Sequence, residues 1–152
     1  MRRRMVVVFA LVAVSCGALW YLRDPAWLLT RTTGLRGWER GPDGTLFRWS
    51  GGHASFFVPS EAQAVRLQVA TTFDARGSEP MVVTFTIDGS RAARVLLTST
   101  EWQEVTLTMP PRGSRRARRV DVRTNVTRED NHGVQLGELK ISRDGRGWRP
   151  CC

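Results

Sequence analysis

Histidine, lysine and usable cysteine are scarce in this sequence of 152 residues. The only two histidines, His53 and His132, each stand beside a glycine in a predicted loop. Of the three cysteines, Cys16 lies in an apolar run, while Cys151 and Cys152 end the chain. The part between has no thiols for an internal disulfide or a zinc cluster. The sequence predicts no metal and no cofactor, and a structural Ca²⁺ site on loop carboxylates such as Glu129 and Asp130 is the open alternative. We expect the terminal pair to form an untethered tail, with an intermolecular bridge as the alternative.

A catalytic constellation is also lacking. Ser50 paired with His53 has no identifiable acid and no oxyanion hole. Two carboxylate pairs have the residue types of glycoside hydrolysis, namely Glu101 with Glu104 and Glu129 with Asp130. An odd separation along a strand sends two side chains to opposite faces, so we expect solvated carboxylates there. The sequence predicts a protein that is not an enzyme and has no catalytic residues.

The strongest positive signal is an uncharged apolar run of 18 residues from Met5 to Leu22. A helix of this length spans roughly 27 Å, close to the hydrocarbon thickness of a bilayer. Residues 1–4 carry three arginines and are expected to stay cytoplasmic, whereas Trp20 and Tyr21 suit the opposite interface. The pattern predicts a single-pass signal anchor in the inner (plasma) membrane, with the rest of the chain outside, in the periplasmic or extracellular space.

Two other fates of this segment stay open. One is cleavage as a signal peptide, and the other is lipidation at Cys16, because small residues precede that cysteine. Retention is favoured because the apolar run is longer than the roughly 7 to 15 residues of a signal-peptide core. No small-x-small cleavage site follows it either.

Basic charge is carried almost entirely by arginine, since Lys140 is the only lysine among 23 basic residues. The densest run, residues 112–119, contains the candidate anion contacts Arg115, Arg116, Arg118 and Arg119. Such a run suits phosphates, but an exterior location and the absence of interleaved aromatic residues argue against nucleic acid. A solvated hairpin loop is the favoured interpretation of the run. The alternative is an anionic target, for which lipid headgroups or acidic polysaccharide suit better than nucleic acid.

Beyond the apolar run, residues 23–44 have no sustained period and indicate a membrane-proximal linker. Residues 45–143 form the predicted domain, and residues 144–152 a C-terminal tail. Eight alternating runs are predicted strands, at 47–49, 54–58, 65–73, 83–87, 94–98, 105–109, 120–123 and 134–141. Ser50-Gly51-Gly52 is interpreted as a turn, Asp88-Gly89 as a hairpin turn and Gly137 as a bulge.

No amphipathic helix interrupts these runs. The expected fold is therefore all-β: an antiparallel jelly-roll-like β-sandwich of about eight strands, preceded by one N-terminal transmembrane helix. Trp49 shares its parity with Phe47 and is expected in the core. Trp102 has the parity opposite to Val105, so it points away from the core on a regular strand. A bulge at Gln103 would reverse this, and burial is the favoured expectation. An exposed indole face suits stacking on a sugar ring.

Several short segments together resemble a known group of domains. They are Phe47-Arg48-Trp49-Ser50, Phe57-Val58-Pro59, Ile87-Asp88-Gly89, Trp102 with Val105, and Gly133-Val134. From about Phe47 to Ile141 the chain resembles bacterial extracytoplasmic β-sandwich domains similar to galactose-binding-like and carbohydrate-binding modules. These domains accompany membrane glycosyltransferases and polysaccharide systems. The candidate ligand-binding residues are Trp102, Arg48 and His132.

The leading hypothesis is a non-catalytic, membrane-anchored exterior domain that binds carbohydrate or supports a cell-envelope polysaccharide system. A membrane glycosyltransferase or another envelope protein is the partner that the resemblance implies. The alternative is an interaction domain that contacts another membrane protein without binding sugar. A hydrolase of surface glycans is the least favoured hypothesis, and it requires two carboxylates in one cleft.

Overall fold

The computed structural model of the chain describes residues 2–72, 80–127, 130–143 and 147–151. The expectations for Phe73, for Glu129 and for Cys152 lie outside these residues. An N-terminal helix, α1, covers Arg2–Arg23 and is long and apolar enough to cross a membrane, a property that signal sequences share. Its described apolar side chains are exposed, and none is covered by the rest of the chain.

Among the described residues, a short 3-10 turn and ten strands follow α1. The turn is Ala26–Thr30. The strands are β1 (Thr32–Arg40), β2 (Leu46–Pro59), β3 (Ala64–Ala70), β4 (Met81–Ile87), β5 (Ser90–Leu97), β6 (Gln103–Thr108), β7 (Ala117–Thr124), β8 (Gln135–Gly137), β9 (Lys140–Ser142) and β10 (Arg149–Pro150). The all-β prediction is confirmed, and so is the single preceding helix.

All ten strands pair antiparallel in one hydrogen-bonded network. Its central path runs β10-β9-β3-β8-β2-β7-β4-β5, while β1 joins β2 and β6 joins β3. One layer contains β6, β3, β8 and β9, and the other contains β7, β4 and β5. Inner side chains of both layers, among them Leu67 and Leu107 from the first and Phe85 and Val122 from the second, form one buried core. The predicted antiparallel β-sandwich is therefore confirmed.

The longest strand, β2, belongs to both layers. Phe47 and Trp49 pair with β8 in the first layer, whereas residues 53–59 pair with β7 in the second. The predicted turn at Ser50-Gly51-Gly52 is wrong, because these residues continue the strand. They mark the place where β2 passes from one sheet to the other, and two successive glycines leave room for the bend.

The first strand, β1, lies inside residues 23–44, which the sequence indicates as a linker. It pairs with β2 from Thr32 to Arg40, and the pairing register shifts twice, between Thr33 and Leu35 and between Leu35 and Trp38. A Cβ on Gly34, whose φ is +67°, would stand 2.1 Å from the His53 carbonyl oxygen, so only glycine fits. Eight of its nine residues are exposed. The strand therefore lacks the alternation of apolar and polar residues from which strands are predicted.

The C-terminal segment is also attached to the sandwich. Arg149 and Pro150 pair with β9, and the Cys151 amide donates to the Leu139 carbonyl oxygen at 2.8 Å. Cys151 is disulfide-bonded and packs, partly buried, against the core. The described part of the expected untethered tail is therefore held in place by backbone pairing, which the alternation of side chains does not reveal.

Two local predictions are confirmed by the backbone. Asp88 and Gly89 both have positive φ, at 50° and 86°, and they connect β4 to β5 as a hairpin. Between Leu136 and Lys140 the chain has one residue more than the facing segment of β3, from Val69 to Arg66. This extra residue is a bulge beside Gly137, and it divides the predicted last strand into β8 and β9.

Adjacent leucines on β5 provide a direct test of this packing. Leu97 is 1% exposed in the core and Leu96 is 52% exposed. We expect Leu97→Ala to lower the free energy of unfolding by about 2 to 5 kcal/mol, because it removes buried apolar area and leaves a cavity. Leu96→Ala should change it by less than about 0.5 kcal/mol. Urea unfolding followed by tryptophan fluorescence measures both, and equal effects would contradict the assigned burial.

Candidate functional site

A buried serine holds the centre of the first layer together. Ser50 is fully buried at the bend of β2 and makes three hydrogen bonds with the segment before β8. Its amide donates to the Val134 carbonyl at 2.9 Å, its carbonyl accepts from the Gly133 amide at 2.7 Å, and its Oγ accepts from the Val134 amide at 2.9 Å. A Cβ on Gly133 would stand 2.5 Å from the Gly51 carbonyl oxygen. This close approach places His132 against β2.

Four rings form an aromatic cluster on the outer face of the first layer: Phe47, Trp49, Trp102 and His132. Phe47 lies edge-on to Trp49, with ring centroids 5.9 Å apart, and Trp102 tilts against Phe47 at 6.1 Å. His132 lies 4.7 Å from Trp49, and its Nδ1 is paired with Asp130. The Trp49 indole donates to Glu39 at 3.3 Å. Phe47 and Trp49 are buried, whereas Trp102 and His132 are half-buried.

Beside this cluster an open groove of about 310 Å³ runs across β3, β6 and β9. We call it the outer groove. The polar side chains that line it are Arg66, Gln68, Glu104, Glu138 and Lys140, and residues 44–46 close one side. Gln68 and Glu104 face each other across β3 and β6, and Arg66 faces Lys140 across β3 and β9. Because side chains alternate along a strand, Arg66, Gln68, Glu104 and Lys140 lie opposite the core residues Val65, Leu67 and Val105. Glu138 belongs to the segment between β8 and β9.

The groove's arginine is held on two sides. Its guanidinium carbon lies 4.0 Å from the centre of the Trp148 ring, and Arg66 Nε lies 3.2 Å from Glu104 Oε1. Stacking and pairing together orient the planar guanidinium and leave fewer conformations to lose when a ligand binds. Trp148 stands directly before β10, so the pairing of that strand with β9 positions it.

Opposite charges balance within the outer groove. Arg66 and Lys140 supply two positive charges, and Glu104 and Glu138 supply two negative ones. An anion or a cation would meet repulsion from half of these groups. A neutral ligand with many hydroxyl groups suits both halves, since each hydroxyl donates to a carboxylate and accepts from an N–H group. The indole and phenyl rings of the neighbouring cluster add apolar surface.

The three predicted ligand residues separate into two places. Trp102 and His132 both belong to the aromatic cluster, joined through Phe47 and Trp49. Trp102 points away from the core, as its parity predicts, and its contact with Phe47 covers part of it without a bulge at Gln103. Trp49 is buried as expected, but on this outer face. Arg48 lies on the opposite face of β2, because side chains alternate along a strand and its two neighbours, Phe47 and Trp49, face outward.

Residues considered for catalysis have other partners. His53 Nε2 lies 3.0 Å from Asp121, and the Ser50 hydroxyl is occupied by Val134, so the two side chains are not paired with each other. Glu104 shares the outer groove with Glu138, a combination that sequence spacing does not indicate. Within the described ranges, no three histidine, cysteine or acidic side chains cluster as metal ligands.

The four candidate arginines of residues 112–119 have two different environments in the structure. Arg118 pairs with Asp88 at 2.8 Å and Arg119 with Asp121 at 2.8 Å, so carboxylates neutralise both. Arg115 and Arg116 are exposed in the loop before β7.

That loop lies against the C-terminal end of α1. The carboxylate of Asp24 accepts a hydrogen bond from the Arg116 amide, and Ser114 and Arg116 border a hollow that Trp20 and Tyr21 also line. The two exposed arginines therefore lie beside the last turns of the apolar helix.

Most of the outer groove was missed by sequence reasoning. Arg66 and Gln68 stand at the outward positions of the clearest period-two run, so their direction was readable from the sequence. Their partners were not, because Glu104, Glu138 and Lys140 come from strands far along the chain. Trp148 lay in the expected tail and had no predicted place.

The strand pairing and the shared core define this chain as a two-layer antiparallel β-sandwich. Solved structures similar to it include a family two carbohydrate esterase from Clostridium thermocellum in complex with cellohexaose, at 10% identity and a TM-score of 0.48. That match covers 80% of this chain and 33% of the esterase. This chain thus spans about a third of the length of that enzyme.

Two further matches are smaller proteins. A family 35 carbohydrate-binding module from an environmental isolate has 15% identity and a TM-score of 0.45, over 79% of this chain and 93% of the module. The EclA C-terminal domain, a sugar-binding protein, has 17% identity and a TM-score of 0.42, over 74% and 65%. Carbohydrate-binding modules, the class that the sequence resembles, thus recur among similar structures. No family model and no curated protein matches this chain.

The role of Ser50 at the bend of β2 can be tested by mutation. We expect Ser50→Ala to lower the free energy of unfolding by about 1 to 3 kcal/mol, because the buried Val134 amide loses its acceptor. Ser114→Ala, in the exposed loop before β7, is the matched control and should change it by less than about 0.5 kcal/mol. Thermal or urea unfolding measures both, and a stable Ser50→Ala protein would refute this role.

Proposed function

We propose that this chain is a non-catalytic, membrane-anchored exterior domain that binds a neutral carbohydrate in the outer groove. The observation that carries the proposal is the balanced set of polar and charged side chains on one face of the sheet, next to half-buried aromatic rings. Arg66 and Glu104 come from facing strands and orient each other before any ligand arrives.

Size and openness also support a saccharide. A volume of about 310 Å³ lies at the lower end of the range for small-molecule sites, which suits one or two sugar rings. The groove is open along the sheet, so a longer chain can continue past it. Trp102 precedes Glu104 by two residues on the same face and offers an indole surface at one end.

The anchor and orientation are part of the same proposal. α1 spans the inner membrane with Arg2, Arg3 and Arg4 in the cytoplasm, and the sandwich lies outside. Exposed Arg115 and Arg116 lie beside the end of α1 and contact anionic headgroups, whereas Arg118 and Arg119 serve the fold through their carboxylate partners. Cell-envelope polysaccharide is then the carbohydrate within reach.

Sugar binding is tested with the full chain in nanodiscs on a glycan array, followed by titration of the best neutral oligosaccharide. We expect Glu104→Gln to weaken binding by roughly 10- to 100-fold, because it removes a charged hydrogen-bond acceptor. Glu61→Gln is the matched control: Glu61 also pairs with an arginine, Arg143 at 3.4 Å, but lies outside the groove. Its affinity should equal that of the parent chain.

Other outcomes separate the competing hypotheses. Cleavage of the bound oligosaccharide, lost in Glu104→Gln, would replace the binding role with hydrolysis by Glu104 and Glu138. No binding to any glycan, together with one stoichiometric protein crosslinked in intact membranes, would replace it with an interaction domain. Equal affinities of Glu104→Gln and Glu61→Gln would move the site out of the groove.

The headgroup contact is tested separately. We expect the sandwich to unfold at a higher temperature in phosphatidylglycerol nanodiscs than in phosphatidylcholine nanodiscs. The free energy of unfolding should rise by about 1 kcal/mol for each arginine that contacts a headgroup. The double variant Arg115→Gln/Arg116→Gln should lose this difference, because the two loop charges proposed to contact the headgroups are then removed.

The control carries the same change in charge at another place. Arg91 and Arg94 are exposed on β5, away from α1. Arg91→Gln/Arg94→Gln should keep the lipid-dependent difference. If both double variants lose it equally, net charge alone explains the effect and the loop has no special position.

A further inference from the structure

A second cavity, of about 220 Å³, lies on the opposite face of β2 from the aromatic cluster. It opens between the two layers at the edge that β1 and the 3-10 turn cover. Its walls are mainly apolar, and they include Leu29, Leu35, Phe56, Leu136 and Leu139. We call it the inner cavity. Its position is independent of the outer groove, so its occupant is a separate question from sugar binding.

One charged side chain, Arg48, lines the inner cavity. Arg48 Nε donates to the Arg36 carbonyl at 2.7 Å and one Nη to Thr32 Oγ1 at 3.3 Å, while its guanidinium lies 5.4 Å from the centre of the Trp38 ring. A guanidinium has five N–H groups, so three stay available. Among the described residues no carboxylate lies within 4 Å of Arg48.

Among the described residues three arginines are partly buried, Arg48, Arg66 and Arg118, and Arg48 differs from the other two in its partners. Arg66, Arg118 and Arg119 each have a carboxylate partner, whereas Arg48 has only neutral ones. Burial lowers the pKa of the Arg48 guanidinium below its ordinary value, yet an arginine remains charged at neutral pH. A partly buried, unpaired cation is unfavourable unless an anion joins it.

The inner cavity also lies close to the membrane along the chain. Leu29 and Thr30 belong to the 3-10 turn, which begins three residues after the end of α1. Three residues reach about 10 Å at most. An amphiphile at the surface of the bilayer is therefore within a short distance of the wall of this cavity.

We propose that the inner cavity binds a single-chain amphiphile with an anionic head, the head on the Arg48 guanidinium and the alkyl chain among Leu35, Leu136 and Leu139. The volume is below the roughly 300 to 1,000 Å³ of typical ligand pockets, which excludes a lipid with two full chains. A fatty carboxylate and an alkyl phosphate share the required chemistry. The two differ only in the head that Arg48 holds.

Trp38 provides a reporter, because its ring lies on Arg48 and lines the inner cavity. The full chain in phosphatidylcholine nanodiscs is titrated with 11-bromoundecanoate, 11-bromoundecyl phosphate and 11-bromoundecyl trimethylammonium. Bromine quenches nearby indoles, and subtraction of the signal of Trp38→Phe isolates Trp38 from tryptophans near the bilayer. We expect saturable quenching by both anions and none by the cation, and the tighter anion identifies the head group.

Matched arginine variants assign the head contact. Arg48→Gln should weaken the binding of either anion at least tenfold, and Arg48→Lys should keep part of it. Arg66→Gln should leave binding unchanged, because Arg66 also stacks on a tryptophan but lies in the outer groove. Equal quenching by the anions and the cation, or equal affinity of Arg48→Gln and Arg66→Gln, would overturn the proposal.

The contact between the inner cavity and the alkyl chain is tested by shortening the amphiphile and by reducing the volume of the cavity. Each methylene removed from water contributes roughly fourfold to affinity, so 9-bromononanoate should bind about 15-fold more weakly than 11-bromoundecanoate. Leu139→Phe fills the cavity and should abolish saturable quenching while circular dichroism shows the sandwich intact. If Arg48→Gln fails to fold, Leu139→Phe and the two chain lengths still test whether the amphiphile binds in the inner cavity. Equal affinity of Leu139→Phe and the parent chain, together with equal affinity for the two chain lengths, would refute the site.

Discussion

The hydrogen bonds of Ser50 are the constraint on which the rest of this structure depends. At this fully buried residue β2 leaves one sheet and enters the other, and a strand that changes sheets must keep its backbone groups paired where neither sheet is complete. Val134 and Gly133 supply those partners. The same contacts bring the chain into β8 and place His132 on Trp49, so the bend of the fold and the edge of the candidate site are one arrangement.

Alternation along β2 then assigns two different chemistries to its two faces. Phe47 and Trp49 face outward and join Trp102, and the outer groove continues from there across β3 and β6. Ala54 and Phe56 face inward and build the core. Arg48 has the same parity as these inward residues, so a charge stands where the pattern expects an apolar group. A conflict of this kind between local pattern and burial is typical of functional or strained positions.

The arginines show how one residue type acquires several roles. Arg118 and Arg119 meet carboxylates and stabilise the second layer, and Arg66 is oriented by a carboxylate and an indole in the outer groove. Arg115 and Arg116 stay exposed beside α1, and Arg48 has neutral partners only. Composition alone treats all of them as basic charge. What separates them is the distance to an acidic group, which pairing between distant strands sets.

The apolar helix, the period-two strands, the Asp88-Gly89 hairpin and the bulge near Gly137 can all be predicted from the order of residues. Each of these is a local property, in which a side chain's neighbours along the chain decide its environment. Three other features follow from pairing between distant segments: the continuity of β2 through Gly51, the exposed strand β1, and the pairing of the C-terminal residues with β9. Only the tertiary structure forms the outer groove and the inner cavity. The order of side chains along the sequence does not show which strands are joined by backbone hydrogen bonds. The side chains of each site come from segments that are distant in sequence and meet only in the folded sandwich.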